Sequence, residues 1–565
     1  MVVGSGAIAA GGIPVFSQAE DRERKAGPGK EILADVVIAG GGMGGCAAAL
    51  AALRNGLRVV MTEETRWIGG QLTQQGLSCP DEHQWIEQFG STRSYRDLRT
   101  AIRTYYKRHY PLTQDARSRK NLNPGNGSVS RLCHEPRVSL AVLYAFFLPY
   151  LSAGKMTLLL QHRVRDAEVE DGVVRSVEVE GPAGDKTVLL APFFLDATEL
   201  GDLLPLTDTA FVTGAESQEE TGELHAPEEA DPDNQQAFTH CMAMDYVPGE
   251  NFVGDPPKGY SFWKKYLPEL TPPWSGKLLS LSYSNPQTLA PKTLGFDPTG
   301  APTGNSLNLW NYRKIIDPGN FTSGFYTGGM TIVNWPQNDF LLGNLVGVSP
   351  HQYEKNLQKA EELSLSLFYW LQTEVPRPDG GMGWPGLRLR GDVMGTDTGL
   401  AQYPYVRESR RIKAVFTVLE EHVGAQNRLM VAGQQAGKNA ASFFDSVGIG
   451  YYHIDLHPSS SGVNYVDFGS LPFQIPLGAL LPQETKNVLP ACKNIGTTHI
   501  TNGCYREHPV EWNIGEAAGL LAAFAFTKRI PPHAVRENKT VLKEFQAWIQ
   551  QQGVALQWPD SIKKA

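Results

Sequence analysis

Cysteine is scarce in this sequence, and its spacing argues against several kinds of site. The 565 residues contain six cysteines, and no two of them form a C-x-x-C pair. Structural zinc sites, iron–sulfur clusters and dithiol redox centres commonly use such pairs, so we expect none of the three. The even number of cysteines permits disulfides, but a buried free thiol serves equally well as a small apolar side chain.

Long basic runs and long apolar runs are missing as well. The chain has 51 Lys and Arg residues against 59 Asp and Glu residues, which gives a formal net charge of -8. Because no basic stretch could follow a phosphate backbone, nucleic acid is not an expected partner. No uninterrupted apolar stretch reaches the roughly 18 residues that a membrane-spanning helix needs, so we expect no spanning segment.

The first 19 residues contain no charged side chain. Within them, Ser17-Gln18-Ala19 resembles the small-x-small site of a signal peptidase and precedes the charged Glu20. The basic residues that usually open a signal peptide are not found ahead of the apolar stretch. We interpret the segment as an export leader, which predicts a periplasmic or secreted protein. The alternative is a cytoplasmic protein with a disordered leader.

A glycine motif stands between two predicted strands near the start of the folded chain. The run Asp35 to Ala39 is short and apolar, as in a buried parallel strand, and Gly40-x-Gly42-x-x-Gly45 follows it directly. A predicted helix then covers Met43 to Asn55 with a face of small residues, and a second strand covers Leu57 to Thr62. This order of elements is typical of a dinucleotide-binding unit.

Each part of this motif has a separate physical task. Gly40 permits the tight turn, Gly42 lets the backbone approach a pyrophosphate, and Gly45 allows close packing of the helix on the strand. The N-terminus of the helix offers unpaired N–H groups and the positive end of its dipole. Glu63, after the second strand, would accept hydrogen bonds from the hydroxyls of a ribose. The alternative is an ordinary βαβ unit without a ligand.

Spacing alone is a weak signal in a chain with 58 glycines. Gly381-x-Gly383-x-x-Gly386 has the same spacing, but Pro378 and Pro385 flank and interrupt it. Proline prevents a helix from opening at that position, so we predict a loop there. The prediction of a dinucleotide site at Gly40 therefore depends on the two strands and the helix predicted around it.

Several later segments resemble the FAD-dependent oxidoreductase family of the glutathione-reductase-like flavoprotein superfamily. They are the glycine turn Trp67 to Thr73, the strand and Ala-Thr segment Phe193 to Glu199, the segment Tyr403 to Arg411, and the stretch Asn494 to Gly519. The resemblance implies an FAD cofactor and an α/β fold, with a discontinuous Rossmann-type FAD-binding domain and a mixed-sheet substrate domain.

The same resemblance and the motif together name the cofactor contacts and the domains. The expected FAD contacts are Gly40, Gly42, Gly45, Glu63, Gly69, Gly70, Gln71, Val164, Ala197, Thr198, Asn513 and Ile514. We expect a leader and linker over 1–30, an FAD-binding domain formed by 31–215 and 480–530, a substrate domain with long loops over 216–479, and a helical segment over 531–565. The length of the chain requires more than one ordinary core.

Histidine and arginine cluster just before the last predicted helix, which would face the flavin. Oxidation of a C–H bond beside a heteroatom needs a base that takes the heteroatom's proton. We predict His508 as this base and Arg506 as a partner for an anion or for the flavin, with His499 nearby. A structural role in capping the helix is the alternative for these residues.

A second group of candidate catalytic residues is the constellation His453-x-Asp455-x-His457. A period of two places all three side chains on one face of a strand. They could form the wall of an active site, a structural cluster or a metal site. We favour the wall, name Asp455 and His457 as catalytic candidates, and expect no metal because flavin dehydrogenation needs none.

Aromatic residues are frequent in the predicted substrate domain. They are either core residues or rings that stack on a substrate, and they include Trp263, Trp274, Trp310, Tyr312, Phe325, Tyr326 and Trp335.

The function predicted from all of these features is an FAD-dependent oxidase or dehydrogenase that moves a hydride from a small alcohol, amine or similar substrate to flavin N5. Its electron acceptor stays undefined. The alternatives are a C=C reductase of the fumarate-reductase-like type, with Arg506 as acid, and a non-catalytic flavin-binding protein.

Overall fold

The structure, a computed structural model, describes residues 30–563, with side chains through residue 562. The predicted export leader therefore lies outside the described residues. The strands are β1 Lys30–Leu33, β2 Val36–Ala39, β3 Val59–Glu63, β4 Met156–Leu160, β5 Arg163–Glu170, β6 Val173–Glu180, β7 Lys186–Leu190, β8 Phe193–Asp196, β9 Phe211–Val212, β10 Phe238–Thr239, β11 Met242–Tyr246, β12 Ser282–Ser284, β13 Pro291–Thr293, β14 Lys314–Ile316, β15 Met330–Val333, β16 Asp339–Phe340, β17 Leu387–Leu389, β18 Arg411–Ile412, β19 Ser446–Gly450, β20 Ile454–Leu456, β21 Val466–Phe468, β22 Phe473–Pro476 and β23 Val488–Pro490.

The helices are α1 Met43–Arg54, α2 Arg93–His109, α3 Gln114–Ser118, α4 Pro136–Ser152, α5 Leu203–Leu206, α6 Gln218–Thr221, α7 Tyr260–Trp263, α8 Leu309–Tyr312, α9 Pro350–Thr373, α10 Gly391–Met394, α11 Glu420–Val423, α12 Ala425–Ala436, α13 His499–Tyr505, α14 His508–Lys528, α15 Pro532–Glu537, α16 Lys539–Gln551 and α17 Asp560–Lys563. Among residues 30–563, no helix combines the length and the apolar character needed to cross a bilayer. All six cysteines are buried free thiols.

A five-stranded parallel sheet contributes to a large hydrophobic core, which we call the first core. Its order is β23-β8-β2-β3-β4, and every neighbouring pair is parallel. The central strand β2 is fully buried, which explains why its sequence is a continuous apolar run rather than an alternating one. The predicted strand, turn, helix and strand around the glycine motif are confirmed, with α1 following β2 and β3 following α1.

Helix α14 packs directly on α1 through glycine. A Cβ on Gly515 would lie 2.0 Å from the carbonyl oxygen of Gly44, and a Cβ on Gly519 would lie 2.3 Å from that of Ala48. Only glycine tolerates such distances, so the two helices approach more closely than side chains would allow. The small-residue face of α1 therefore contacts a second helix as well as the sheet, and it brings the N-terminus of α14 to the glycine turn.

The remaining strands form smaller sheets, so the chain is a mixed α/β structure. One four-stranded sheet has the order β1-β7-β6-β5 and another has the order β14-β15-β11-β17. The second sheet belongs to the loop-rich middle region, where a separate core gathers buried aromatic side chains, among them Trp263, Trp274, Trp310 and Trp335. Phe325, which the sequence placed with them, is 51% exposed. In the predicted His-x-Asp-x-His constellation, Asp455 lies on β20, and His453 and His457 flank that strand, which pairs with β21.

Candidate active site

The glycine turn after β2 has a backbone that only glycine adopts easily. Gly40 has a φ of +93°, and a Cβ there would lie 2.3 Å from the carbonyl oxygen of Ala197. A Cβ on Gly45 would lie 2.2 Å from the carbonyl oxygen of Gly40. The Gly41 amide donates a hydrogen bond to Glu63 Oε2 at 3.0 Å. The turn, the start of α1 and the end of β3 therefore hold one another in place.

The predicted second glycine turn covers the N-terminus of α1. The Gly69 amide donates to the carbonyl oxygen of Gly41 at 2.7 Å, and Gly69 has a φ of +113°. A Cβ on Gly70 would lie 2.7 Å from the Met43 nitrogen. The side-chain amide of Gln71 donates to Glu511 Oε2 at 2.6 Å and to the carbonyl oxygen of Arg506 at 3.0 Å. This turn thus links α1 to the N-terminus of α14.

A cavity of about 520 Å³ opens beside the first glycine turn; we call it the sheet-edge chamber. It lies at the carboxyl ends of β2, β3 and β8, where ligands bind in open α/β sheets. Five of the predicted cofactor residues line it, namely Gly40, Glu63, Val164, Ala197 and Thr198. Burial, reinforced by the charge of Glu64, raises the pKa of Glu63 to about 8.

A buried ion pair stands in front of the turn. Glu199 pairs with Lys493, and both side chains are buried. A Cβ on Gly42 would lie 2.8 Å from Glu199 Oε1, which has no hydrogen-bond partner. Burial lowers the pKa of Lys493, but the charges of Glu199 and Glu511 outweigh this effect and raise it. A fixed positive charge is therefore available close to the glycines.

A second cavity of about 320 Å³ lies on the other side of Arg506. We call it the aromatic chamber, because six aromatic side chains line it: Tyr283, Tyr312, Trp335, Tyr405, Tyr452 and Tyr465. Charged side chains line it as well, and they are Asp81, Lys292, Arg313, Arg407, His453, Asp455, His457, Asp467 and Arg506. The chamber thus contains Arg506, Asp455 and His457 from the predicted catalytic set.

His457 lies between two carboxylates in this chamber. Its Nδ1 donates to Asp339 Oδ2 at 2.6 Å, and its Nε2 lies 3.6 Å from Asp455 Oδ2. Burial and the charge of Arg407 lower the pKa of His457, but Asp339 and Asp455 outweigh them, so the pKa is raised. A histidine oriented by a carboxylate and open to a chamber is the arrangement of a proton-transfer residue.

The other histidine of the constellation has its own carboxylate. His453 Nδ1 donates to Asp467 Oδ1 at 2.8 Å, and contacts with Asp467 and Asp455 outweigh burial and raise the pKa of His453 to about 9. The Arg506 guanidinium donates to Asp455 Oδ2 at 3.1 Å. Because a cation already occupies that oxygen and the histidines bond to different carboxylates, the geometry favours a polar wall over a metal site.

Arg506 is held on several sides. Its Nη1 donates to the Tyr405 hydroxyl at 2.8 Å, and its Nη2 donates to the carbonyl oxygen of Asp455 at 2.9 Å. Burial would raise the pKa of Asp455, but the charges of His457 and Arg506 hold it well below its usual range. Arg506 therefore supplies a fixed positive charge at the wall of the aromatic chamber.

His508 and His499 lie outside the aromatic chamber. His508 is completely buried; its Nδ1 accepts from the Asp81 amide at 3.1 Å, and its Nε2 donates to the carbonyl oxygen of Leu77 at 3.1 Å. Burial lowers its pKa. Both nitrogens are engaged by the backbone, so the geometry does not support the prediction of His508 as the base. His499 Nδ1 bonds to Glu408 at 2.9 Å within a buried ion-pair cluster.

Asn513 and Ile514, which were predicted as FAD contacts, both contact protein groups in this structure. The Asn513 side chain donates to the carbonyl oxygen of Val447 and accepts from the amide of Ile449, each at 3.3 Å, and so anchors β19. Ile514 is buried in the first core. Glu511, one turn nearer the N-terminus of α14, contacts the Gly44 amide at 3.3 Å and the Gln71 side chain. The residue of α14 that reaches the glycine turns is therefore Glu511.

Three residues of the site were not predicted from the sequence. Asp339 lies on the two-residue strand β16 within the loop-rich region, Arg407 pairs with it at 3.0 Å, and Lys493 precedes α13 by six positions. Arg407 lies within the segment Tyr403 to Arg411 that resembles the family, but no motif or periodicity indicates its role or marks Asp339 and Lys493. Only the tertiary structure brings Asp339 to His457.

A family model described as FAD dependent oxidoreductase matches residues 35–549 of this sequence. The chain belongs to that family. FAD is its cofactor, and the protein is an oxidoreductase. No functionally curated protein matches the sequence.

Several solved structures share a likeness with this chain. An anhydrotetracycline hydroxylase from Streptomyces rimosus has 12% identity and a TM-score of 0.27, over 68% of this chain and 54% of that one. A p-nitrophenol 4-monooxygenase from Pseudomonas putida has 14% identity and a TM-score of 0.26, over 68% and 70%. An L-proline dehydrogenase from P. horikoshii has 15% identity and a TM-score of 0.17, over 33% and 24%. The matches with the hydroxylase and the proline dehydrogenase span less than two thirds of those chains.

The surroundings of the glycine turns fit the cofactor of the family. Four buried side-chain atoms there have no hydrogen-bond partner among the described residues: Gln71 Oε1, Gln75 Oε1, Gln75 Nε2 and Glu199 Oε1. Buried polar atoms normally have a partner, so a polar ligand at this position would satisfy them.

Proposed function

We propose that this protein oxidises a C–H bond beside an oxygen or nitrogen atom in a small organic substrate, which binds in the aromatic chamber. The observation that supports this most strongly is His457, held between Asp339 and Asp455 in a chamber that shares Arg506 with the cofactor side. A proton acceptor fixed at such a boundary is what oxidation of an alcohol or amine requires.

We assign the two ends of the cofactor to two parts of the structure. The sheet-edge chamber would hold the adenosine half, with Glu63 accepting from the ribose hydroxyls and Val164 contacting the adenine. Gly42 and Lys493 would meet the pyrophosphate, and the turn containing Gln71 would cover the flavin. Bound FAD supplies a hydride acceptor at N5.

The residues of the aromatic chamber would provide the proton chemistry. His457 in its neutral form takes the proton from the substrate's hydroxyl or amino group as the hydride leaves the adjacent carbon. Asp339 orients the ring and stabilises the charge that forms on it. The raised pKa of His457 makes it a stronger base, with the neutral form gaining population as the pH rises.

The contacts of Arg506 favour oxidation over C=C reduction. In the reductase alternative, Arg506 would donate a proton to the substrate. Burial lowers the pKa of Arg506, but the negative charges of Glu507 and Asp455 outweigh it and raise the pKa well above its usual range. A guanidinium held in this way keeps its proton, so its role would be to position groups and to stabilise negative charge.

The experiment is an anaerobic test in both directions. Purified holoprotein is mixed with alcohols, amines and sugars, and loss of the visible absorption of oxidised flavin is followed. In parallel, chemically reduced holoprotein is mixed with unsaturated acids. Bleaching by members of the first group is the expected result. Reoxidation by unsaturated acids without bleaching by the first group would instead establish the reductase, and no response in either direction would indicate a non-catalytic flavoprotein.

A further inference from the structure

The aromatic chamber combines stacked rings with a dense set of charged groups, and nearly all of its charges are paired. Arg313 pairs with Asp81 at 3.3 Å, and Arg407 pairs with Asp339 at 3.0 Å. The remaining pairs are Arg506 with Asp455 at 3.1 Å and His453 with Asp467 at 2.8 Å. His457 is the additional positive group, and it becomes neutral in the form that accepts a proton. The exposed Lys292 lies at the rim, where solvent screens its charge.

Paired charges of this kind are a poor match for a charged substrate. A carboxylate substrate needs a cation whose donors are free, and an ammonium substrate needs a carboxylate with no counterion. Here the terminal nitrogens of the three arginines already bond to protein groups. The wall therefore presents fixed dipoles and hydrogen-bonding atoms with little net charge in the catalytic state.

Many hydrogen-bonding atoms in the chamber nevertheless remain unused. Among the described residues, the hydroxyls of Tyr283, Tyr312, Tyr452 and Tyr465 make no hydrogen bond, and one oxygen of Asp455 and one of Asp467 accept none. The chamber thus offers carboxylate acceptors beside tyrosine hydroxyls, which both donate and accept.

The aromatic side chains of the chamber provide apolar surface on which a ligand can pack. Six aromatic side chains line a volume of about 320 Å³, which is at the lower end of the roughly 300–1,000 Å³ typical of ligand pockets. Trp335 is buried, and its Nε1 has no partner. An apolar C–H surface packs well on such faces, while polar groups at the edge of the ligand reach the wall.

We propose that the aromatic chamber binds an uncharged polyhydroxylated ring, that is, a neutral sugar or the terminal sugar unit of a glycoside. Such a ring has C–H faces for the aromatic side chains and neighbouring hydroxyls that donate to the free carboxylate oxygens and accept from the tyrosine hydroxyls. This inference rests on the proposed function, and it specifies the bond that is oxidised. A CH–OH group becomes a C=O group, its hydride passes to FAD, and its hydroxyl proton passes to His457.

The test separates binding from turnover. Holoprotein reduced with dithionite under anaerobic conditions cannot oxidise a sugar, so isothermal titration calorimetry on it measures binding alone. The probes are the methyl pyranosides of glucose, galactose, mannose and xylose, with glucuronic acid, galacturonic acid and glucosamine as charged counterparts. We expect at least one neutral pyranoside to bind more tightly than every charged probe, with little dependence on salt.

Variants locate the binding in the aromatic chamber. Trp335→Leu removes a ring of the chamber and is expected to weaken binding of the neutral sugar about tenfold. Trp384→Leu is the matched control, because Trp384 is a buried tryptophan of the same core whose Nε1 is also unpartnered, but it does not line the chamber. Asp467→Asn, which changes a group at the wall rather than in the core, carries the test if Trp335→Leu does not fold.

Two results would overturn the proposal. One is the absence of binding by every neutral pyranoside below about 10 mM, and the other is tighter binding of an acidic or amino sugar. A sugar that binds to the reduced protein and loses affinity in Trp335→Leu or Asp467→Asn supports the inference even if it does not bleach the oxidised protein. Only the proposed oxidation would fail in that case.

Discussion

Gln71 donates a hydrogen bond from its side-chain amide to the main-chain oxygen of Arg506, 3.0 Å away. Gln71 belongs to the glycine turn that covers the N-terminus of α1, whereas the Arg506 side chain lines the aromatic chamber. One contact thus joins the cofactor side of the site to the substrate side. Because Gln71 and Arg506 are both buried, the distance between the two sides is set by rigid elements rather than by a mobile loop.

Changing the second or the third glycine of the dinucleotide motif to alanine is expected to have different effects on stability and on FAD affinity. In Gly45→Ala, the new methyl group would lie 2.2 Å from the Gly40 carbonyl oxygen, so we expect a loss of about 3 kcal/mol in unfolding free energy. In Gly42→Ala, the methyl group would lie 2.8 Å from the end of the Glu199 side chain and 3.4 Å from the Ala197 carbonyl oxygen, so we expect a smaller loss of stability and an FAD affinity that falls about tenfold or more. Denaturant unfolding of the apoprotein and flavin titration measure the two effects.

Gly254→Ala is the control for both glycine variants, because a Cβ at that position has no neighbour within 4 Å. It should match the wild type in stability and in FAD affinity. If Gly42→Ala bound FAD as tightly as the wild type, the pyrophosphate would not rest against this turn.

Glu63 is expected to make FAD binding depend on pH. Its pKa is raised to about 8 by burial, so the carboxyl group is largely protonated at neutral pH and becomes a better acceptor for ribose hydroxyls as the pH rises. Between about pH 6 and pH 9, FAD affinity of the wild type should therefore increase. The gain in binding free energy should not exceed what one charge-assisted hydrogen bond contributes. In Glu63→Gln the dependence should vanish.

Flavin fluorescence on dissociation, measured across this pH range, checks the Glu63 prediction. Glu354→Gln is the matched control, since Glu354 lines the same sheet-edge chamber but is exposed. Affinity that falls with rising pH in the wild type, or an unchanged pH dependence in Glu63→Gln, would show that Glu63 does not accept from the ribose.

Asp339 sets the pH at which His457 can act. Two carboxylates raise the pKa of His457 above 6.5, and only the neutral ring accepts a proton, so flavin reduction should speed up as the pH rises through that raised value. Asp339→Asn removes a negative charge that lies 2.6 Å from the ring, while Arg407 stays in place. The rising limb should shift to lower pH by about one unit.

Stopped-flow flavin reduction between about pH 5 and pH 9 measures this shift, and Asp397→Asn at the surface serves as its control. The maximal rate in Asp339→Asn should also fall, because the ring loses its orienting partner. A limb that stays in place or shifts to higher pH would assign the titration to another group.

His508 is expected to affect stability more than chemistry. His508→Ala leaves the Asp81 amide and the Leu77 carbonyl without their buried partners, which should cost about 2 to 4 kcal/mol of unfolding free energy. The FAD-loaded variant should still reduce its flavin within about tenfold of the wild-type rate, since the ring does not reach the aromatic chamber. Loss of flavin reduction in a folded, FAD-loaded His508→Ala protein would restore His508 as the base.

The residues that could be predicted from sequence are those whose role depends on local geometry. Gly40, Gly42 and Gly45 stand between a buried strand and a helix of small residues, and Glu63 follows the neighbouring strand. Because a parallel βαβ unit brings these ends together wherever it occurs, spacing along the chain was enough to place Glu63 beside the Gly41 amide.

The residues that could not be predicted depend on contacts between distant segments. Asp339 orients His457 across 118 positions of sequence, from a two-residue strand with no periodic pattern. His508 fitted the expected position of a base because it opens α14, yet the main chain around Leu77 and Asp81 occupies both of its nitrogens. Sequence position places a histidine near a helix end but does not reveal which groups it bonds.

The central claim is that His457 takes the substrate's proton in the chamber beside the flavin. The most direct measurement is the anaerobic rate of flavin bleaching in His457→Gln, compared with the wild type at equal FAD content and with the same substrate. We predict that the variant keeps its flavin and its substrate affinity and loses at least about a hundredfold in rate. Bleaching at the wild-type rate would contradict the claim.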